Sequence, residues 1–426
     1  MHLAPTERQR ELRAELRARF RTLMPQGPPA ADDPAGQRRI LRRMGAEGLL
    51  GLGWPVAYGG RGRGPDEQFV FFDEAYRAGA PVSMVTLNTV GPTLMKYGTE
   101  EQKAFFLPRI LSGDLVFAIG YSEPSAGTDL AALRTRAVRD DATGDWIVDG
   151  QKIFTSNAQN ADWIWLACRT DPDAPKHRGI SILLVPTDAP GFSWTPIETV
   201  GGQTTTATYY DGIRVPGTRL VGAENGGWEL ITNQLNHERV ALAAIGMQAE
   251  DFYERVLAAA RTPDPVTGER RVDVPWVRSQ LAEAHARLAA TRLLNWRLVG
   301  DVGAGRLSPG DASGVKFAGT ESAVEVYRIC QQVAGEAGWL RRGSPGAFGA
   351  CGGAYGVGGG AYGVRGGAYG VRGGAYGVGD GAYGVGDGEL ERMNRAVQIN
   401  TFGGGVSEVQ REIVATMRLG MERGRR

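Results

Sequence analysis

Apolar side chains recur every three to four residues in the first third of the chain and again in the last, and follow a two-residue beat in between. In "TERQRELRAELRARFRTLMP", Leu12, Leu16, Phe20 and Leu23 fall on one helical stripe. A second helix is predicted in "PDEQFVFFDEAYRAGA" and a third in "GTEEQKAFFLPRILSG", where Thr99 can cap and Gln102 can reach back three residues later. From about Phe117 to Val221, β-rich runs such as "DWIVDGQKIFTS", "ADWIWLACRT", "GISILLVPTD" and "TATYYDGIRV" alternate with Gly, Pro and Asp turns, which predicts strands. The helical period then returns in "WELITNQLNHERVALAAIGMQAEDFYERVLAAA", "VRSQLAEAHARLAATRLLNWRLV", "GVKFAGTESAVEVYRICQQVAG" and "SEVQREIVATMRLGMERG". The expected organisation is an α+β multidomain chain: a helical unit at 1–115, a β unit at 116–226 and a helical unit at 227–426, the last interrupted by a low-complexity insertion at 343–388.

Five glycine-rich heptads of the form GAYGVGG, GAYGVRG or GAYGVGD fill Gly353 to Asp387. A period of seven suits a coiled coil, but each glycine costs a helix on the order of 1 kcal/mol, so an outward surface loop is expected. The alternative is a weakly ordered flap bearing tyrosines. In neither case does the segment carry chemistry.

Composition narrows the function classes. A chain of 426 residues, 42% hydrophobic, can bury a large core. Lys plus Arg number 48 against 47 for Asp plus Glu, so no net field points to nucleic acid or an anionic membrane. The three cysteines lack a CxxC spacing and the four histidines are scattered, which argues against a disulfide scaffold and a metal site. No apolar run reaches the length of a membrane span and no leader is evident, so a cytoplasmic protein is expected.

Candidate chemistry gathers at the edge of the β unit. "FAIGYSEPSAGTDLAALRTRA" brings together small residues, hydroxyls and backbone amides, which lets a flat polar ligand approach the main chain; a plain turn between strands is the other reading. "GQKIFTSNA" sets Phe154 beside Thr155 and Ser156, an aromatic that could stack on a ring with hydroxyls at its edge.

Together these segments resemble the acyl-CoA dehydrogenase family. "YSEPSAGTDLA" is similar to its flavin-side signature and "GQKIFTSN" to its Gly-Gln-Lys motif. "NQLNHERVALAA" looks like its substrate helix, "QQVAGEAGW" like its Gln-x-x-Gly segment and "GGGVSEVQREIVA" like its last loop and helix. The resemblance implies a helical domain, a β-barrel and a C-terminal four-helix bundle, with FAD and an acyl-CoA between them. It implies that Ile119, Tyr121, Ser122, Gly127 and Thr128 touch FAD or the thioester arm. Phe154 would lie against the isoalloxazine ring, with Thr155 beside it and Ser156 near N5. Gln332, Gly335 and Glu408 are implied as further cofactor contacts, and Thr128, Asn236 and Arg239 as substrate contacts.

The reaction so implied is α,β-dehydrogenation, in which a carboxylate takes the α-proton and the carbonyl oxygen needs preorganised donors. Some family members carry the base in the last loop, where this chain has Gly404 in "FGGGVSEVQ". The place used by isovaleryl- and long-chain-type members is held by Glu238. Ile231, Leu235, Glu238, Leu242 and Ile245 step by four, three, four and three, so one carboxylate interrupts an apolar stripe. A structural bond to another subunit is the alternative role for it. Gly404 is then expected to offer its backbone N–H to the thioester oxygen.

The family's Arg-x-x-Phe-Gly motif, which reaches a neighbouring subunit's FAD, has no match in "ARTPDPVTGERRVDVPWVRSQ". Expected partners are an acyl-CoA, an electron-transfer flavoprotein and further subunits in a homotetramer, dimer or hetero-oligomer. A flavin oxidase or monooxygenase on the same fold, or a non-catalytic acyl-CoA-binding subunit, are the alternatives.

Overall fold

The computed structural model describes residues 5–30, 32–234, 246–264, 266–344, 347–348 and 388–422. Glu238, Asn236, Arg239 and the heptad repeats lie outside the described residues.

Helix α1 (Glu7–Leu23) starts where the Thr6 hydroxyl accepts from the Gln9 N–H while Gln9 returns a bond to the Thr6 backbone, and it buries the predicted stripe. After α2 (Pro34–Ala46), α3 (Pro65–Arg77) and α4 (Gly91–Tyr97), helix α5 (Glu100–Leu111) repeats the same cap with Thr99 and Gln102. Gln102 has a second task. Its amide donates to the carbonyls of Thr218 and Leu220, each at 2.8 Å, and so ties α5 to the end of the β domain.

The middle domain is an eight-stranded sheet: β1 (Phe117–Gly120), β2 (Arg136–Arg139), β3 (Trp146–Lys152), β4 (Trp163–Arg169), β5 (Ile180–Pro186), β6 (Phe192–Glu198), β7 (Thr204–Val215) and β8 (Leu220–Val221). The spatial order is β6-β7-β3-β2-β4-β5-β8, with β1 parallel to β4. Strands β4 and β5 are apolar apart from Arg169 and the buried Ser181, in keeping with both their faces being covered. Ile164, Leu166, Cys168, Leu183 and Val185 point into the barrel core, whereas Trp165, Ala167, Ile182 and Leu184 join the core shared with the N-terminal helices.

Helix α6 covers 227–234 of the described residues, and a turn at 247–248 precedes α7 (Ala249–Arg261), so the segment from Trp228 is not one unbroken helix. The bundle continues with α8 (Pro275–Gly303), α9 (Pro309–Ala334), α10 (Glu389–Ala396) and α11 (Ser407–Ile413). The expected final helix is shorter than its sequence pattern. After Ile413 a wide turn covers Val414–Arg418, and Gly420 lies beyond it at φ +68°.

A buried charge cluster joins the two helical domains. Arg13 bonds Asp73 and Glu74, Arg17 bonds Glu74 at 2.7 Å, and Arg77 bonds Asp73, Glu250 and Asp251. Arg292 reaches Glu250 from α8. Burial opposes the charge on Asp73, but Arg77 and Arg13 outweigh it and hold its carboxyl below the ordinary value. For Asp251 burial wins and the carboxyl is pushed up.

Candidate active site

The two predicted motifs are welded by a buried ion pair. Glu123 opens a tight turn in which it and Ala126 exchange backbone bonds of 3.0 and 3.1 Å. Its carboxylate accepts from the N–H groups of Arg134 and Thr135 and from Lys152 Nζ at 2.8 Å. Lys152 also donates to the Tyr121 carbonyl, and the Ile153 N–H donates to the Ser122 carbonyl at 2.8 Å. Burial lowers the Lys152 pKa; at Glu123 burial works the other way, but the Lys152 ammonium and the backbone donors prevail and hold the carboxyl low. A charge pair this deep fixes the end of β3 against the "SEPSAGT" turn. Glu123 and Lys152 stand 29 residues apart, so no local spacing announced them.

Directly after Lys152 the backbone turns over. Phe154 sits at φ +60°, a region costly for a bulky residue, and its ring is 61% exposed. Asn157 follows at φ +66°. The turnover sorts the three neighbouring side chains: Phe154 and Ser156 face out, with the Ser156 hydroxyl 3.1 Å from that of Thr205. Thr155 faces in. It is fully buried, its hydroxyl is 3.2 Å from that of Thr208, and its N–H and carbonyl are both taken by Thr206. Thr155 therefore braces this platform from beneath, its side chain turned away from the exposed face. Gly127 and Thr128 are exposed beside the turn, and open space surrounds the position of a Gly127 Cβ.

Tyr121 connects the platform to α6. Its hydroxyl accepts from Trp165 Nε1 at 3.1 Å and donates to Gln234 Oε1. Gln234 is four residues before Glu238 in sequence. Ile119 packs at the edge of the same core.

The glycine loop lies between α10 and α11. Gly404 and Gly405 both have positive φ, +67° and +99°, which only glycine adopts freely. Gln410 donates to the carbonyls of Gly404 and Gly405 at 2.8 and 3.2 Å, and buried Lys316 of α9 donates to those of Gly405 and Thr401 at 2.8 and 3.3 Å. Glu408 stands exposed in the first turn of α11. The Gln410 and Lys316 braces were not foreseen from sequence; a lone Lys in an apolar helix is the signal that could have found one.

Gln332 and Gly335 are not gathered with this loop. Gln332 is 16 residues beyond Lys316 on the same helix, roughly 24 Å along its axis. Only an extended ligand or a second chain could use both places. Gly335 lies at φ +68°, and a Cβ there would come within 2.7 Å of the Arg271 guanidinium, which donates to the Ala334 carbonyl. An arginine thus stands beside the Gln-x-x-Gly segment although the Arg-x-x-Phe-Gly motif is lacking. Among the described residues no three His, Cys, Asp or Glu side chains gather as a metal site, and no helix is long and apolar enough to cross a membrane.

Comparison with known proteins places this geometry. Residues 6–114, 118–211 and 225–360 match the models of the acyl-CoA dehydrogenase N-terminal, middle and C-terminal domains. The acyl-CoA dehydrogenase FadE26 of Mycobacterium tuberculosis is 47% identical over 441 aligned residues, spanning 100% of both chains. The solved structure of the Tcur3481-Tcur3483 steroid ACAD superposes with a TM-score of 0.85 at 49% identity, covering 100% of both chains. The ChsE4-ChsE5 complex from Mycobacterium tuberculosis superposes at 0.83 with 46% identity, again over 100% of both.

Proposed function

Because the chain belongs to the acyl-CoA dehydrogenase family, and is thus an oxidoreductase, we propose that it desaturates a bulky, steroid-type acyl-CoA as a subunit of a hetero-oligomer. Two observations support the substrate and assembly. Its 49%-identical neighbour is titled a steroid ACAD, and the ChsE4-ChsE5 neighbour is a complex of two different chains. The carboxylate-free loop agrees with a large acyl group, since a Cβ at Gly403 would have no atom within 4 Å.

The platform suits FAD. An exposed ring held at a strained φ, an outward hydroxyl two residues on and open space at Gly127 form a bed for a flat ring with polar edges. Phe154 would lie against the isoalloxazine and Ser156 near N5, with Ile119, Tyr121, Ser122, Gly127 and Thr128 along the cofactor and the thioester arm. Gln332, Gly335 and Glu408 are proposed as contacts to its more distant parts, or to those of a second subunit. When bound, FAD supplies a hydride acceptor at N5. An electron-transfer flavoprotein is the proposed acceptor beyond the chain, and the cytoplasm its location.

The observation that carries the mechanism is the glycine loop, which offers backbone donors and no carboxylate. Gly404 accordingly holds the thioester oxygen, which acidifies the α-carbon. Glu238, which interrupts an apolar three-and-four-residue spacing in the sequence, is the proposed base that takes the α-proton. Asn236 and Arg239 flank it as substrate contacts.

Anaerobic titration of the purified holoprotein with a steroid side-chain acyl-CoA tests this. Bleaching of the flavin band is expected, slower by about two to four orders of magnitude in Glu238→Gln, with acyl-CoA binding kept. A Glu238→Gln protein that bleaches at the original rate would remove Glu238 as base. A protein that purifies colourless yet still binds acyl-CoA would favour the non-catalytic subunit, a reading to which the missing Arg-x-x-Phe-Gly motif gives some weight.

A further inference from the structure

A hydrogen-bond chain at the junction of the β domain and the helices ends in a donor with no acceptor. The indole Nε1 of Trp165 can only donate, and it does so to the Tyr121 hydroxyl at 3.1 Å. The hydroxyl passes its own proton on to Gln234 Oε1. An amide that accepts through its oxygen turns its nitrogen the other way, so the Trp165–Tyr121 pair decides which end of Gln234 is which. Gln234 is 1% exposed, and among the described residues its Nε2 meets no acceptor. A buried donor left unmet is destabilising, and native structures keep one where water or a ligand completes it.

The donor is held in place by its neighbours. Asn233 donates to the Tyr97 hydroxyl at 2.9 Å, and that hydroxyl donates to Glu229 at 3.1 Å, so α4 clips the end of α6 in register. The surroundings are apolar. Trp165, Leu230, Ile231, Val90 and Leu94 belong to one buried cluster, against which Tyr121 packs. An apolar wall with a single fixed donor matches a hydrocarbon skeleton bearing one oxygen better than it matches a flavin, whose ring edge needs several polar partners.

Resting on the dehydrogenase reading, we propose that Gln234 is a specificity-determining residue whose amide donates to a keto oxygen carried on the acyl skeleton of the substrate, away from the thioester. A ketone suits the place because it only accepts. A hydroxyl satisfies the donor too, but brings a proton that an apolar wall leaves unmet, and a plain hydrocarbon leaves the donor stranded. The order of preference is therefore ketone, alcohol, hydrocarbon.

The test uses acyl-CoA thioethers of one steroid-type skeleton, in which a methylene replaces the thioester carbonyl so that no desaturation follows binding. The set holds the hydrocarbon parent and mono-keto members with the oxygen at successive positions, and calorimetry reads their affinity for the holoprotein. At least one keto member is expected to bind about five- to a hundredfold tighter than the hydrocarbon. In Gln234→Met that advantage should shrink to within about twofold, with flavin content and the flavin band kept. Absence of any keto advantage in the parent protein overturns the proposal, and so does an advantage that survives in Gln234→Met or a loss of affinity for every member alike. Should Gln234→Met fail to fold, Gln234→Glu carries the comparison, because an ionised carboxylate still accepts from Tyr121 but cannot donate: loss of the keto advantage supports the proposal and its retention overturns it. A parent protein that binds neither these thioethers nor the corresponding thioesters would instead refute the dehydrogenase reading itself.

Discussion

Replacing Lys152 by Met removes the positive half of the pair that joins the "SEPSAGT" turn to the end of β3 while keeping the stem of the side chain. Lys152 has no exposed side-chain surface and Glu123 has 5%, with Nζ and Oε1 2.8 Å apart. At an effective dielectric of about 20 their attraction is on the order of 6 kcal/mol, set against the cost of burying both charges. Breaking such a pair from one side leaves a stranded carboxylate and typically costs about 3–5 kcal/mol. Thermal unfolding followed by circular dichroism should show the midpoint falling by roughly 5–10 °C, and flavin retained through gel filtration should fall with it, because Phe154 is two residues away. The double variant Glu123→Gln/Lys152→Met, which strands no charge, should lie closer to the parent than the single one. A pH series adds a signed test. The Glu123 carboxyl is held below its ordinary value of 4.5, so its stabilising contribution is present above that value and is lost as pH falls through the lowered one. The gap between parent and Lys152→Met should therefore narrow on acidification. A single variant melting within 1–2 °C of the parent, or a double variant no better than it, would refute the reasoning.

Further predictions concern the loop, the platform and the repeats. Gly405→Ala places a Cβ 2.6 Å from Gln410 Nε2 at φ +99°, whereas Gly403 has open space, so Gly405→Ala should slow flavin reduction at least tenfold and Gly403→Ala should leave it within about threefold; rapid mixing with acyl-CoA measures both. Ser156→Ala should slow flavin reduction more than it weakens FAD binding, since one hydrogen bond is worth on the order of 1 kcal/mol among many cofactor contacts; purification as apoprotein would contradict its placement. Deleting Gly353 to Asp387 should leave flavin content and turnover nearly unchanged, and loss of FAD would make the repeats part of the site.

Elements whose signals are local were legible in the sequence. Helices α1 and α5 have a stripe and a reciprocal cap within a few residues of each other, and β4 and β5 are short, mostly apolar runs rich in Trp, Ile, Leu and Val. Helix α2 was not foreseen, because its arginines interrupt the apolar rhythm in "PAGQRRILRRMGA". The helical stretch from Val85 to Tyr97 also escaped, since "VTLNTVGPTLMKY" is rich in strand formers and contains Pro92. At the candidate site the motifs were visible, but the direction of each side chain was not. The positive φ at Phe154 reverses the alternation that would have sorted Thr155 from Ser156. The bonds from Lys152 to Glu123 and from Lys316 to Gly405 span 29 and 89 residues, distances over which a single sequence carries no pairing signal.

The charge cluster between the helical domains also sets a schedule for synthesis. Arg77 finds Asp73 one helical turn away, but its other two carboxylates, Glu250 and Asp251, come 173 and 174 residues later. At a ribosomal pace of about 5–20 residues per second, that interval lasts roughly 9–35 seconds. During it the nascent N-terminal helices hold a guanidinium that cannot shed its water without penalty, so α3 stays hydrated on one flank while the β domain emerges. Closure of that flank is deferred until α7 leaves the exit tunnel, and a polypeptide truncated before Glu250 would present the unfinished flank to chaperones and proteases.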